Sequence, residues 1–225
     1  KSPARKLTAD QKQLISLGRG LVREDVAAVL MDEPLTVIDP DLKFRLRRNL
    51  KEINEQYKTT LVYVTHDQNE AMTFADNIIV MDQGEIVQVG LPKDLFERPK
   101  TTFVGYFIGS PAMNLFETQL SSNNSVKINN TIIKTNTNLS KLKNNNLKLG
   151  IRSEFVKVAK DESENLLEVN IQKVEDFGNF KLLTANMGNL IIKSKVNRET
   201  EIPSQNLKLY FPADKCCVYK DSKLI

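Results

Sequence analysis

Seven residues, Ala28-Val29-Leu30-Met31-Asp32-Glu33-Pro34, constrain this chain more than any others. An unbroken apolar run of strand length reads as a β-strand buried on both faces, the kind that parallel sheets covered by helices contain. The run ends abruptly in two adjacent carboxylates and a proline. Ionised side chains in so poorly solvated a place call for a cation or a bound ligand, and in open α/β sheets ligands sit at that strand edge. A solvated loop that caps the next helix explains the same residues equally well from this stretch alone.

The rest of the chain narrows the choice. Its 225 residues are enough for one large domain or two small ones with a real core. The net charge of +4 is spread over many lysines balanced by 28 acidic residues. Without a basic stripe interleaved with aromatics, it gives no reason to expect nucleic acid as a partner. No stretch approaches the roughly 18 apolar residues of a membrane span, and nothing reads as a signal peptide. The two cysteines, Cys216 and Cys217, are adjacent, which argues against a disulfide framework or a zinc site and for buried, inert thiols. A cytosolic setting is the expectation.

Taken in order, Leu7-Thr8-Ala9-Asp10-Gln11 precedes apolar Leu14, Ile15, Leu17, Leu21 and Val22 at helical spacing, so a helix opens at Gln11. Thr8 with Gln11 three residues on is a capping box, and the same orphan N–H groups make a phosphate seat. After the Asp32-Glu33 strand, Asp39 and Pro40 start another helix as N-cap and first residue, with Leu42, Leu46, Leu50, Ile53 and Tyr57 as its buried stripe. Leu61-Val62-Tyr63-Val64-Thr65 is a second buried strand ending in His66, the one histidine, and Asp67 with Glu70 forms a second capping box. Residues 77–89 read as a hairpin about Asp82-Gln83-Gly84. Short helices follow, one from Pro92 to before Pro99 and one over 101–108. From about residue 110, short alternating segments at 126–134, 147–151, 166–174, 181–185, 189–195 and 206–211 predict a small β-barrel or sandwich.

Side by side, these pieces resemble the ATP-binding subunits of ABC transporters, specifically the carbohydrate and polyol importers related to the maltose, glycerol-3-phosphate and glycerol systems. Leu7 to Gln11 stands where that family has L-S-G-G-Q, and 29–34 is similar to its Walker B strand. Leu35 to Asp39 resembles the D-loop and 64–67 the segment of the switch histidine. Residues 81–90 and 103–111 resemble the importer group in particular, and Leu149-Gly150-Ile151-Arg152-Ser153-Glu154 resembles the L-G-I-R-P-E of its C-terminal barrel.

The resemblance implies an α/β fold: a partial phosphate-loop ATPase domain over 1–110, mostly parallel sheet with helices, then a small β-barrel regulatory domain (OB-like, TOBE) over 111–225. It implies ATP with Mg²⁺, held by Asp32 through water, and catalysis by Glu33, which activates the attacking water, and His66, which senses the γ-phosphate. Leu7, Thr8, Ala9, Asp10 and Gln11 would face an ATP bound on a second ATPase subunit, and Asp39 would link the two sites. The implied partners are that second subunit, in a homodimer or more readily a heterodimer, two transmembrane permease subunits and an external solute-binding protein. The implied location is peripheral, on the cytoplasmic face of the membrane. The implied function is coupling ATP hydrolysis to uptake of a sugar or polyol such as glycerol or glycerol-3-phosphate.

Two departures qualify that expectation. No G-x-x-x-x-G-K-[ST] phosphate loop occurs in the 225 residues, so the chain is expected to be either part of a longer ATPase, inactive by itself, or a shortened, non-catalytic paralogue acting as a regulatory or interaction module. Ala9-Asp10 also replaces two glycines. A carboxylate about 4 Å from a phosphate charge costs on the order of 1 kcal/mol in water and about 4 at a surface-like dielectric, against about 0.3–1 kcal/mol returned by a helix N-terminus. If Asp10 faces the nucleotide, repulsion wins; if it turns to solvent, it only caps the helix.

Overall fold

A computed structural model of the chain describes residues 3–22, 26–142, 146–160 and 162–225. The chain divides into two units, Lys1–Asp76 and Asn77–Ile225.

In the first unit, α1 (Ala9–Leu21) opens two residues earlier than its apolar spacing predicts. Thr8 is the N-cap, and its backbone N–H donates to Gln11 Oε1 at 3.2 Å. A reciprocal cap needs the glutamine at the third helical position, and that fixes the start at Ala9. Strand β1 (Ala28–Asp32) leads through a loop to α2 (Pro40–Tyr57), which is capped as expected: Asp39 Oδ1 accepts from Leu42 N–H at 2.9 Å, with Pro40 at the first position. Lys58, in the left-handed region at φ 52°, ends α2 and turns the chain into β2 (Thr60–Val64). β2 runs parallel to β1 in the register Ala28↔Thr60 through Asp32↔Val64. The pair needs a crossover, and α2 supplies it. A short α3 (Gln68–Phe74) closes the unit.

Met31, Leu35, Ile38 and Leu50 form the buried apolar positions here. Two expectations are corrected. β1 is buried on one face only: Leu30 is 77% exposed, with Val62 and Val64 also exposed, because in a two-stranded sheet the alternate side chains point away from the helices' apolar residues. On α2, Leu50 is fully buried and Leu42, Leu46 and Ile53 half-buried, but Tyr57, in the last turn, is exposed.

The second unit starts with the hairpin β3 (Ile78–Asp82) and β4 (Glu85–Gly90). Gln83 and Gly84 both have positive φ, 49° and 82°, the twist that a two-residue hairpin turn requires. Then come α4 (Pro92–Glu97) and α5 (Thr102–Phe107). The remainder is strand: β5 (Asn114–Ser122), β6 (Ser125–Ile128), β7 (Thr131–Lys134), β8 (Leu147–Ile151), β9 (Lys157–Val158), β10 (Leu166–Glu168), β11 (Asn170–Asp176), β12 (Phe180–Met187), β13 (Leu190–Asn197), β14 (Lys208–Tyr210), β15 (Cys217–Lys220) and β16 (Lys223–Leu224). Three sheets, ordered β16-β15-β8-β5-β6-β7, β11-β12-β13 and β10-β14-β9, close around one core. Phe116, Ile128, Leu149, Leu167, Leu183, Ile192, Leu209 and Val218 meet there. The protein is thus mixed α/β, with strands dominating its second unit.

Two predicted segments prove to be pairs of strands. Residues 126–134 fold as β6 and β7 about Asn129 at φ 50°, and 166–174 covers β10 and the start of β11, which belong to different sheets. Neither β5 nor β15 lies among the predicted segments, and for β15 the cause is burial. Cys216, Cys217, Val218 and Tyr219 are all buried, so the alternation that marks a half-exposed strand is missing.

One buried charge ties the helices of this unit to its strands. Arg152, just past β8, is 0% exposed. Its Nε donates to Phe96 O at 2.8 Å, Nη1 to Gly105 O at 2.8 Å and to Ile108 O, and Nη2 to Leu95 O at 3.4 Å. Those oxygens belong to the last turns of α4 and α5, where unsatisfied carbonyls carry partial negative charge. The guanidinium also lies 4.7 Å from the centre of the Phe96 ring. Burial pushes its pKa down from the usual arginine value.

Candidate functional site

The parallel register of β1 and β2 brings the ends of both strands together, and the chemistry-bearing residues follow from that. Beyond β1, Glu33 N–H donates to Val64 O at 2.9 Å. Glu33 itself adopts φ 47°, the left-handed region that a non-glycine residue enters at a cost. This turn swings its carboxylate toward the end of β2. There Oε1 accepts from the backbone N–H of His66 at 2.9 Å and also contacts His66 Nδ1. The second oxygen, Oε2, accepts from Thr36 Oγ1 at 2.8 Å. The His66 hydrogen bond above all, with help from Thr36, holds the Glu33 carboxyl below the usual carboxylate range, against a smaller opposing effect of burial. An ionised carboxylate can only accept, so Nδ1 is the ring nitrogen that carries the proton. Glu33 is 34% and His66 78% exposed, which leaves the imidazole open to a ligand.

Asp32, next to Glu33 and opposite Val64, is exposed. Its carboxylate has no hydrogen-bond or ion-pair partner among the described residues. Between α1 and β1 lies a cleft of about 150 Å³ whose lining includes Gln13, Gly20, Met31, Asp32 and Pro34. Gln13 Nε2 spans it, donating to Pro34 O at 2.9 Å and Glu33 O at 3.4 Å. α1 thus reaches the strand end through Gln13. Leu7, Thr8, Ala9, Asp10 and Gln11 stand at its N-terminus, where the Thr8 hydroxyl donates to the Asp10 carboxylate. That bond is the chief reason the Asp10 pKa lies below its ordinary value. Asp39 is used as the cap of α2.

The structure therefore brings Glu33 and His66 into contact with Asp32 beside them, while Leu7 to Gln11 and Asp39 make their own helix caps. Gln13 and Thr36 join the site although no sequence signal singled them out. Glu70 corrects another expectation. Its backbone N–H meets Asp67 Oδ1 at 3.2 Å, but its side chain does not reach back to complete a capping box. It turns inward, 4% exposed, to Arg47, Lys43, Tyr63 and Thr65. Two cations and two hydroxyls outcompete the single N–H of Asp67, which Thr65 Oγ1 satisfies at 3.0 Å.

No described helix is long and apolar enough to cross a membrane. A family model described as the MalK OB fold domain matches residues 109–156, covering β5 to β8 and Arg152. Among curated proteins, the sn-glycerol-3-phosphate import ATP-binding protein UgpC of Psychromonas ingrahamii is 36% identical over 174 residues, 77% of this chain and 45% of that protein. UgpC 2 of Agrobacterium fabrum is 33% identical over 219 residues, 92% of this chain and 58% of that protein. The oligosaccharides import ATP-binding protein MsmX of Bacillus subtilis is 48% identical over 115 residues, 51% and 31% of the two chains. The chain spans about half the length of the first two relatives.

Proposed function

We propose that the chain, similar to carbohydrate-type import ATP-binding proteins, serves in an ABC importer by hydrolysing ATP to drive uptake of a sugar or polyol, glycerol-3-phosphate being one candidate. In this reading residues 1–110 are the later part of a phosphate-loop ATPase domain and 111–225 a regulatory barrel of the OB or TOBE kind. Its partners are a second ATPase subunit, two permease subunits and a solute-binding protein, and it works at the cytoplasmic face of the membrane.

The observation that carries the proposal is the Glu33–His66 contact at the shared end of two parallel strands, with Asp32, unpartnered among the described residues, beside it. Glu33, ionised and accepting from His66 and Thr36, can orient a water and take its proton. His66, mostly exposed, would release Glu33 and give its Nδ1–H to a phosphate oxygen instead. A lone exposed carboxylate suits magnesium, which keeps several waters and takes one or two carboxylates together with phosphate oxygens. Asp32 would hold it, and the ion would neutralise charge on the phosphates. Leu7 to Gln11 would present the α1 N-terminus to the nucleotide of the partner subunit, and Asp39 would lie at that junction.

ATP turnover of the intact importer, purified with its permeases, tests this. Glu33→Gln should lower kcat by about 10²–10⁴-fold, the range for loss of a general base, while ATP binding persists. Turnover within twofold of the parent would refute it.

The Thr8–Asp10 bond favours a refinement. With the hydroxyl already given to a carboxylate and a negative charge at the helix start, this subunit's contribution to the partner's nucleotide site is weakened, which suits a pair of non-identical ATPases. Counting the ATPase subunits in the purified importer decides it; a fully active homodimer would exclude it.

A further inference from the structure

The first turn of α3 carries a buried carboxylate, Glu70, that neither strand pairing nor helix capping requires. Glu70 gathers groups from α2, β2 and the turn that follows: Lys43 and Arg47 of α2 at 3.7 and 3.2 Å from Oε1, the Tyr63 hydroxyl of β2 at 2.9 Å from Oε2, and the Thr65 hydroxyl at 3.1 Å from Oε2. The last contact differs from the others in what it does. Thr65 Oγ1 donates to Glu70 and accepts the backbone N–H of Asp67 at 3.0 Å. One hydroxyl therefore grips the turn on both sides of His66. Asp67 in turn caps α3 by accepting from Asn69 and Glu70 N–H, so the chain from 65 to 70 closes on itself. From this closed turn His66 offers both its backbone N–H and Nδ1 to Glu33.

We propose that Glu70 is a positioning residue which, through the Thr65 hydroxyl, holds the 65–67 turn so that His66 meets Glu33. The inference rests on the proposed reading of Glu33 and His66 as the reacting pair. An ion-paired carboxylate suits the task because its anchors on α2 fix it in space, and a hydroxyl used as both donor and acceptor has no freedom to rotate. Buried hydrogen-bond networks of this kind specify one local arrangement when every member is satisfied.

His66 is the only histidine, so long-range ¹H–¹⁵N NMR of its ring reports the contact directly, without nucleotide or partner. At a pH where the ring is neutral, the parent should show the Nδ1–H tautomer that donation to Glu33 demands. Thr65→Val removes the relay yet leaves the ion pairs of Glu70 in place, so the unit still folds. It should lose the Nδ1–H signature, and Thr65→Ser should restore it. Glu70→Ala should give the same loss, with folding checked by circular dichroism. If Glu33→Ala abolishes the signature while Thr65→Val keeps it, the positioning role is wrong and the Glu33–His66 pair stands. If Glu33→Ala leaves the ring signals unchanged, the pair itself is absent in solution, and both the inference and the functional reading fall.

Discussion

Removing the guanidinium of Arg152 should unlock the second unit, and the size of the effect follows from its partners. In Arg152→Met a side chain of similar length fills the space, but Phe96 O, Gly105 O and Ile108 O lose a charged donor, Gly105 O keeping the Met113 N–H at 3.2 Å. Each hydrogen bond to a charged group contributes about 1.5–3 kcal/mol, and each orphaned buried acceptor costs about 1–3 kcal/mol. Against this, the variant no longer desolvates a cation, a penalty of several kcal/mol in a protein interior. The balance is a loss of about 3 kcal/mol, a large part of the typical stability of a domain. For a unit of this size it lowers Tm by about 6–12 °C. Arg152→Lys keeps the charge but not the fork, so its ammonium reaches only some of the carbonyls and about half the loss remains. The chain has no tryptophan; urea unfolding followed by near-ultraviolet circular dichroism of tyrosine, including Tyr219 buried in the same unit, reads the change. A Met variant within about 0.5 kcal/mol of the parent, or one as stable as the Lys variant, would refute the clamp.

Other outcomes follow from the same structure. Glu33 has a folded pKa below its ordinary value, so the stability it contributes is present above that ordinary value and lost as pH falls through the folded one; the difference between the urea midpoints at pH 7 and pH 4 should be smaller in Glu33→Gln than in the parent. Gly150→Ala places a Cβ 2.7 Å from Met113 Sδ and 2.8 Å from Tyr219 Cε2, and overpacking of this kind should cost about 1–3 kcal/mol in the same denaturation assay. Burial pushes the Cys216 thiol up to about 12, so Ellman's reagent at pH 8 should leave Cys216 unmodified in the native chain and label it rapidly in urea.

What the sequence disclosed, and what it concealed, follows from how local each cause is. Asp32-Glu33 and His66 each close a short apolar run, and any parallel pairing of the two runs brings those ends together. Asp39 is legible for the same reason, since N-cap, proline and first turn are neighbours in the chain. Thr36 and Gln13 were not legible because their contacts depend on the left-handed turn at Glu33 and on how α1 lies over β1. Glu70 was misread since its spacing from Asp67 satisfies a local rule, whereas its actual partners come from α2 and β2. In the second unit most alternating strands were visible, but β5 was not singled out and β15 was hidden by burial on both faces.

The open face of the β1–β2 ribbon has a practical consequence. Leu30 and Val62 sit side by side in register, with Val64 next along, so a preparation of this polypeptide carries a greasy strip beside strand edges that no described residue pairs. Concentrating it, or adding strongly salting-out ions that favour apolar contact, should raise light scattering well before the barrel unfolds. Dilute samples at modest ionic strength are the form in which it will stay in solution.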